Sequence, residues 1–115
     1  LRADPDRLGQ AVRNVLANAL RHSRSTVTVH AEREGTRVRI AVDDDGPGVP
    51  EAEWEHVFDR FHRVAPRAGS KGAGLGLAIV RAVVEGSDGR VWMEASPDLG
   101  GARVCLELPA AAGPT

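Results

Sequence analysis

The chain has 115 residues, a length that suits one compact domain with a single core. A net charge of −1 gives no electrostatic reason to expect nucleic acid or an anionic membrane surface as a partner. The single cysteine, Cys105, excludes an internal disulfide, suits a reducing compartment and is expected within a strand rather than as a nucleophile. No apolar run is long enough to cross a bilayer and no signal peptide is evident, so we expect this chain to make no direct membrane contact. Because it opens abruptly at Leu1, we expect it to be a piece of a larger protein.

The first predicted element is an amphipathic helix in which apolar residues recur at helical spacing over residues 8–20. Asn14 and Asn18 lie one turn apart on a flank of the apolar stripe, followed by Arg21 and His22. Because asparagine is a mediocre helix former, its repetition calls for a reason. Two are open: hydrogen bonding at a helix boundary, or a polar ladder that offers amide oxygens to a metal and basic groups to phosphate.

Two alternating segments, residues 26–32 and 37–43, predict a β-hairpin with one covered face. The second runs into the sequence Asp-Asp-Asp-Gly-Pro-Gly at residues 43–48. If the strand continues, Asp44 shares the covered face, where a carboxylate needs a polar partner. The partner is either an amino group of a ligand or, if the segment is only a turn, solvent. A calcium loop is disfavoured because the D-x-[DN]-x-[DN]-G spacing with a distant glutamate is absent.

The middle of the chain combines a short helix, an irregular segment and a glycine motif. A helix is predicted to begin at Pro50, with Val57, Phe58 and Phe61 as a small apolar cluster. Residues 62–71 lack apolar periodicity and carry several basic side chains, which is typical of a lid over a ligand or of a surface loop.

The glycine motif is Gly72-Ala73-Gly74-Leu75-Gly76-Leu77, and a helix follows it at once. Glycine lets another group approach the backbone closely, and a helix start offers unpaired N–H groups to an anion such as phosphate. The alternative is a loop that merely packs its helix closely. Two further strands are expected near residues 90–95 and 102–108. Together these elements predict an α/β two-layer sandwich, with a mixed sheet covered on one face by about three helices.

Four motifs stand in order: Asn-x-x-x-Asn-Ala on a helix, Asp-x-Gly-x-Gly after a strand, Phe-x-x-Phe, and Gly-x-Gly-x-Gly-Leu before a helix. This ordered set resembles the catalytic and ATP-binding domain of bacterial two-component sensor histidine kinases. The resemblance covers about residues 4–109. It implies the Bergerat (GHKL) fold, an ATP-binding catalytic domain over residues 1–109 and a flexible tail over residues 110–115.

The resemblance also implies site residues, with ATP and Mg²⁺ as cofactors. The implied catalytic residues are Asn14, Asn18 and Arg63. Among them Asn18 would be the magnesium ligand, while Asn14 and Arg63 would act beside the phosphates. Asp44 would accept from the adenine amine. His22 and Ala73 depart from the tyrosine and the hydroxyl residue usual in the family. The implied nucleotide-binding residues are Asn14, Asn18, Arg21, His22, Asp44, Gly46, Gly48, Phe61, Arg63, Lys71, Gly72, Ala73, Gly74, Leu75, Gly76 and Leu77.

The implied activity is that of a protein-histidine kinase, which donates the γ-phosphate to a histidine on a separate dimerisation domain. Asn14 stands where hydrolytic relatives carry a glutamate base, and the chain lacks the family's His-Glu-Leu-Arg-Thr-Pro acceptor motif. The implied partners are the phosphoacceptor helices and, through them, a response regulator. The implied location is the cytoplasmic part of a cell-membrane sensor. Two alternatives are an anti-sigma-factor-type kinase and a degenerate regulatory nucleotide-binding module.

Overall fold

A computed structural model of the protein describes residues 5–59 and 76–109. Two α-helices, one 3₁₀ helix and four strands occur in these ranges. In chain order they are α1 (Pro5–His22), β1 (Val27–Glu34), β2 (Arg37–Asp44), the 3₁₀ helix (Glu51–Glu53), α2 (Gly76–Glu85), β3 (Arg90–Ala95) and β4 (Ala102–Pro109). Neither α-helix combines the length and hydropathy needed to cross a membrane, a statement that applies to the described ranges.

The four described strands form one sheet in the order β1-β2-β4-β3, and every neighbouring pair is antiparallel. The expected α/β two-layer sandwich is confirmed, but the mixed sheet is not found among these strands. Short turns join β1 to β2 and β3 to β4, and a short turn permits only antiparallel pairing. Strand β4 also lies antiparallel to β2, with Arg103 opposite Asp43.

The helical layer contains α1 and α2, while the third expected helix is reduced to a 3₁₀ turn at Glu51–Glu53. Backbone hydrogen bonds continue the turn as far as Asp59, and Val57 and Phe58 are buried in the core. The indole N–H of Trp54 donates to the Val49 carbonyl (2.9 Å), which fixes the start of this segment. The predicted apolar cluster is therefore confirmed for Val57 and Phe58, whereas Phe61 lies outside the described residues.

The core lies between the helices and one face of the sheet. It consists mainly of valine, leucine and alanine, as expected for a chain with only four aromatic residues. Burying each aliphatic side chain contributes about 1.5–3 kcal/mol to the hydrophobic driving force. Its largest fully buried side chains are Val15, Val42, Val80, Val84, Leu106 and Leu108.

The other face of the sheet is covered by its own ion pairs. Glu107 accepts hydrogen bonds from Arg39 (2.9 Å) and Arg90 (3.1 Å), and both guanidinium groups lie over the Trp92 ring. These hydrogen bonds lower the pKa of Glu107 to about 2. Cys105 lies beside Trp92 within β4, and burial raises the pKa of its thiol to about 12. Such a thiol is a poor nucleophile, in agreement with its interpretation as a strand residue.

Candidate functional site

Asp44, the last residue of β2, lies at the end of the core face of the sheet, as the strand parity predicts. The residue is only 4% exposed. Its Oδ1 atom accepts from the backbone N–H groups of Gly46 (2.9 Å) and Ala102 (3.3 Å). Within residues 5–59 and 76–109, no hydrogen bond reaches Oδ2. A buried carboxylate oxygen in this state has the geometry to accept a donor from a ligand.

Two residues that pack closely around Asp44, Gly46 and Gly101, must be glycine because no side chain fits at their positions. A Cβ atom on Gly101 would lie 2.7 Å from the Gly46 nitrogen and still closer to the carbonyl and Oδ1 atoms of Asp44. A Cβ atom on Gly46 would overlap the carbonyl oxygen of His22, at the end of α1. The turn after β2, the β3–β4 turn and the end of α1 therefore meet around one carboxylate.

Asp45 points away from Asp44 and binds the loop that follows α1. Its Oδ1 atom accepts from the Arg24 N–H (2.7 Å) and the Ser25 N–H (3.1 Å). Its Oδ2 atom accepts from the Ser25 hydroxyl (2.8 Å). These donors, the Ser25 N–H first among them, hold the pKa of Asp45 far below its usual value. The Asp45 side chain is therefore an ionised carboxylate at neutral pH.

Asp43 is fully buried on the opposite face of the sheet, where Arg103 neutralises its charge and Ser96 donates a further hydrogen bond. The Arg103 guanidinium donates two hydrogen bonds (2.8 and 3.0 Å), and the Ser96 hydroxyl donates a third (2.7 Å). Burial alone would raise the pKa of Asp43, but these hydrogen bonds outweigh it and leave the pKa below its usual value. Because the Ser96 hydroxyl also accepts from the Leu99 N–H (3.1 Å), this cluster anchors the β3–β4 turn that carries Gly101.

The polar ladder of α1 leads toward the same place. Asn14 and Asn18 are half-buried one turn apart, and Arg21 and His22 are exposed in the last turn. Since Gly46 abuts the His22 carbonyl, α1 ends directly beside the turn that follows Asp44. The structure thus brings together the end of α1 and the first glycine motif.

The second glycine motif is only partly described. Gly76 is the first residue of α2, and the Leu77 side chain packs against the core. In the first glycine motif, Gly48 has φ +78°, a left-handed conformation natural for glycine, and it approaches Gly101. Seven predicted site residues lie outside the described ranges: Phe61, Arg63, Lys71, Gly72, Ala73, Gly74 and Leu75.

Comparison with known families matches residues 3–112, nearly the whole chain, to the histidine kinase-, DNA gyrase B-, and HSP90-like ATPases. The chain belongs to this family. Several relatives of this chain are histidine kinases. Signal transduction histidine-protein kinase AfsQ2 of Streptomyces coelicolor is 42% identical over 109 residues, 94% of this chain but 20% of that protein. The chain thus spans about a fifth of AfsQ2.

Two solved structures of sensor kinases share the fold of this ATPase-family chain. The mycobacterial sensor histidine kinase MprB matches with a TM-score of 0.85 and 36% identity, over 92% of this chain and 74% of that one. The ATP binding domain of PrrB from Mycobacterium tuberculosis matches with a TM-score of 0.76 and 40% identity, over 96% and 71% of the two chains. The resemblance stated from the four motifs is confirmed.

The sequence pattern predicts the position of Asp44, but it does not predict the roles of Asp43 and Asp45 beside it. Asp43 had one available signal, since the alternation of β4 places a single arginine, Arg103, among apolar residues on a paired strand. Asp45 had none, because the loop that it binds carries no motif.

Proposed function

We propose that the chain binds ATP and that Asp44 accepts a hydrogen bond from the adenine amino group. The observation that supports this most is the buried Asp44 carboxylate, whose Oδ1 atom is occupied by two backbone N–H groups while Oδ2 lacks a donor among the described residues. An exocyclic amine would supply that donor. The matching PrrB structure is that of an ATP binding domain.

The phosphates belong, in this proposal, along α1 and over the second glycine motif. Arg21 and His22, in the last turn of α1, supply basic groups next to the Asp44 turn. The unpaired N–H groups at the start of α2, beginning at Gly76, would also bind phosphate, since a helix N-terminus attracts anions. Arg63 and Lys71 add charge by analogy with the family.

Mg²⁺ fits the donor set that α1 offers. No group of three or more His, Cys, Asp or Glu side chains in the described ranges could hold a metal ion. The half-buried Asn18 offers an amide oxygen, and magnesium accepts few protein ligands when phosphate oxygens and water complete its shell. When bound, the cation neutralises charge that develops on the phosphates. Asn14, one turn earlier, would contact the same phosphates.

The activity that we propose for the whole protein is phosphoryl transfer to a histidine on separate phosphoacceptor helices, with a response regulator as the later acceptor. Asn14 cannot act as a carboxylate base for water, so this chain's own residues orient the nucleotide for transfer rather than hydrolysis. The matched relatives named as sensor histidine kinases support this reading over the anti-sigma-factor and degenerate alternatives. A cytoplasmic position within a membrane sensor is part of the same proposal.

Calorimetric titration with ATP, with and without magnesium, tests the site. Asp44→Asn keeps the size and the Oδ1 acceptor of Asp44 but places a donor at Oδ2, so it should weaken ATP binding by about 5- to 150-fold, since an unpaired buried polar group costs about 1–3 kcal/mol. Asn18→Ala should remove the magnesium dependence. Glu32→Gln, an exposed change on β1, is the matched control and should bind like wild type. A wild-type chain that unfolds cooperatively yet binds no ATP would refute the proposal.

A further inference from the structure

We propose that Asp45 is a positioning residue of the nucleotide site, and that its carboxylate holds the loop after α1 against the turn that carries Asp44. This inference rests on the proposed function, because its effect is measured on nucleotide binding. Asp45 itself is not expected to contact the nucleotide, since its side chain is turned toward the loop.

The carboxylate makes the main connection between the two segments. It accepts from the Arg24 N–H at 2.7 Å, from the Ser25 N–H at 3.1 and 3.2 Å, and from the Ser25 hydroxyl at 2.8 Å. The Asp45 N–H donates in return to the Thr26 carbonyl at 3.3 Å, a longer contact. Four of these five hydrogen bonds are made by the carboxylate oxygens, so most of the connection depends on the side chain.

The two ends of the connection are close to the groups that the nucleotide needs. On one side, Arg24 is two residues after His22, the end of α1, whose last turn is itself closed by the Ser23 N–H to the Ala19 carbonyl (2.8 Å). On the other side, Asp45 directly follows Asp44. The carboxylate therefore sets the distance between the α1 ladder, which carries Asn18, and the adenine-binding carboxylate.

The packing of Gly46 shows why this distance is critical. Its backbone abuts the His22 carbonyl so closely that a Cβ atom would overlap it. A ligand that bridges Asp44 and α1 requires both groups at a fixed separation, and loss of a residue that orients binding groups costs about 10- to 100-fold in metal sites. Three successive aspartates thus have different roles. Asp43 anchors the β3–β4 turn, Asp44 accepts a hydrogen bond from adenine, and Asp45 positions the end of α1.

The test compares Asp45→Ala with Asp45→Asn on the same 115-residue chain. The asparagine amide keeps an oxygen for the Arg24 and Ser25 N–H groups and offers its NH₂ to the Ser25 hydroxyl, so it should restore positioning. Glu107→Gln is the matched control, since it breaks ion pairs on the far face of the sheet. The dissociation constant for Mg-ATP is measured well below the melting temperature, together with amide exchange at Arg24 and Ser25.

Asp45→Ala should weaken Mg-ATP binding by about 10- to 100-fold, as for other orienting residues, and speed exchange at Arg24 and Ser25. Asp45→Asn should bind within about threefold of wild type, and Glu107→Gln should lower the melting temperature without changing affinity. Asn18→Ala should cost less in the Asp45→Ala background than alone, because the two changes act through the same end of α1. Asp45→Ser replaces the alanine variant if that variant does not fold.

Each contrary result has a distinct meaning. Wild-type affinity in a folded Asp45→Ala variant would reduce Asp45 to a stabilising contact and overturn the inference. Equal losses in Asp45→Ala and Asp45→Asn would show that charge, not position, acts on the nucleotide, and would also overturn it. Absence of binding by wild type would refute the proposed function, and with it this inference; the first two results leave the proposed function intact.

Discussion

Replacing Gly101 by alanine should damage both the fold and the proposed nucleotide site. The added Cβ atom would lie 2.7 Å from the Gly46 nitrogen and nearer still to the carbonyl and Oδ1 atoms of Asp44. Overpacking a core costs about 1–3 kcal/mol when flexible side chains can adjust. Here the obstacles are backbone atoms and a buried carboxylate held by two N–H groups, so we expect about 3 kcal/mol. At roughly 3–4 °C per kcal/mol for a domain of this size, the melting temperature should fall by about 10 °C.

Affinity should fall as well, because relief of the overlap requires Asp44 to move. We expect ATP binding to weaken at least tenfold in Gly101→Ala, measured by calorimetry on the folded variant, with stability measured by urea unfolding. Gly35→Ala is the control: Gly35 has φ +61° in the β1–β2 turn, and a Cβ atom there would meet nothing within 4 Å. It should cost only about 1–2 kcal/mol of backbone strain and leave ATP binding unchanged. If the two variants lose equal stability and Gly101→Ala keeps wild-type affinity, the steric reasoning is refuted.

Two further predictions concern the outer face of the sheet. Arg103→Met should cost about 3–5 kcal/mol in urea unfolding, because it leaves the fully buried Asp43 carboxylate without its cation, and adding Asp43→Asn should recover part of the loss; a loss below about 1 kcal/mol would contradict this. Glu107, with a folded-state pKa of about 2 against an ordinary value near 4.5, contributes stability that is fully present above about pH 4.5 and is lost as the pH falls toward 2. Melting temperatures from pH 2 to 6 should therefore decline less steeply in Glu107→Gln than in wild type, and parallel curves would show that the ion pairs do not stabilise the fold.

Much of the site could be predicted because its signals are local. Side-chain alternation along β2 placed Asp44 on the core face, and helical spacing placed Asn14 and Asn18 on one flank of α1. The order of four short motifs identified the family. Each of these inferences needs only the period of a single element or the succession of elements along the chain.

The strand order and the tasks of neighbouring residues depended on distant parts of the chain. Short turns indicate that β1 pairs antiparallel with β2 and β3 with β4, but nothing local indicates that β4 lies between β2 and β3 or that it is antiparallel to β2. Asp43 finds Arg103 60 residues later, and Asp45 finds the Ser25 hydroxyl 20 residues earlier. Equivalent carboxylates in one run therefore acquire different environments only when the fold brings those partners to them.

By itself, the sequence determined the two α-helices, the four strands, the covered face of β2 and the family, since periodicity and motif order are properties of the chain as written. Only the tertiary structure decided why Gly46 and Gly101 must be glycine, which oxygen of Asp44 lacks a donor among the described residues, and how Asp45 connects two segments. The physical reason is that space, burial and hydrogen-bond partnership depend on three-dimensional proximity, and residues far apart in sequence supply it here.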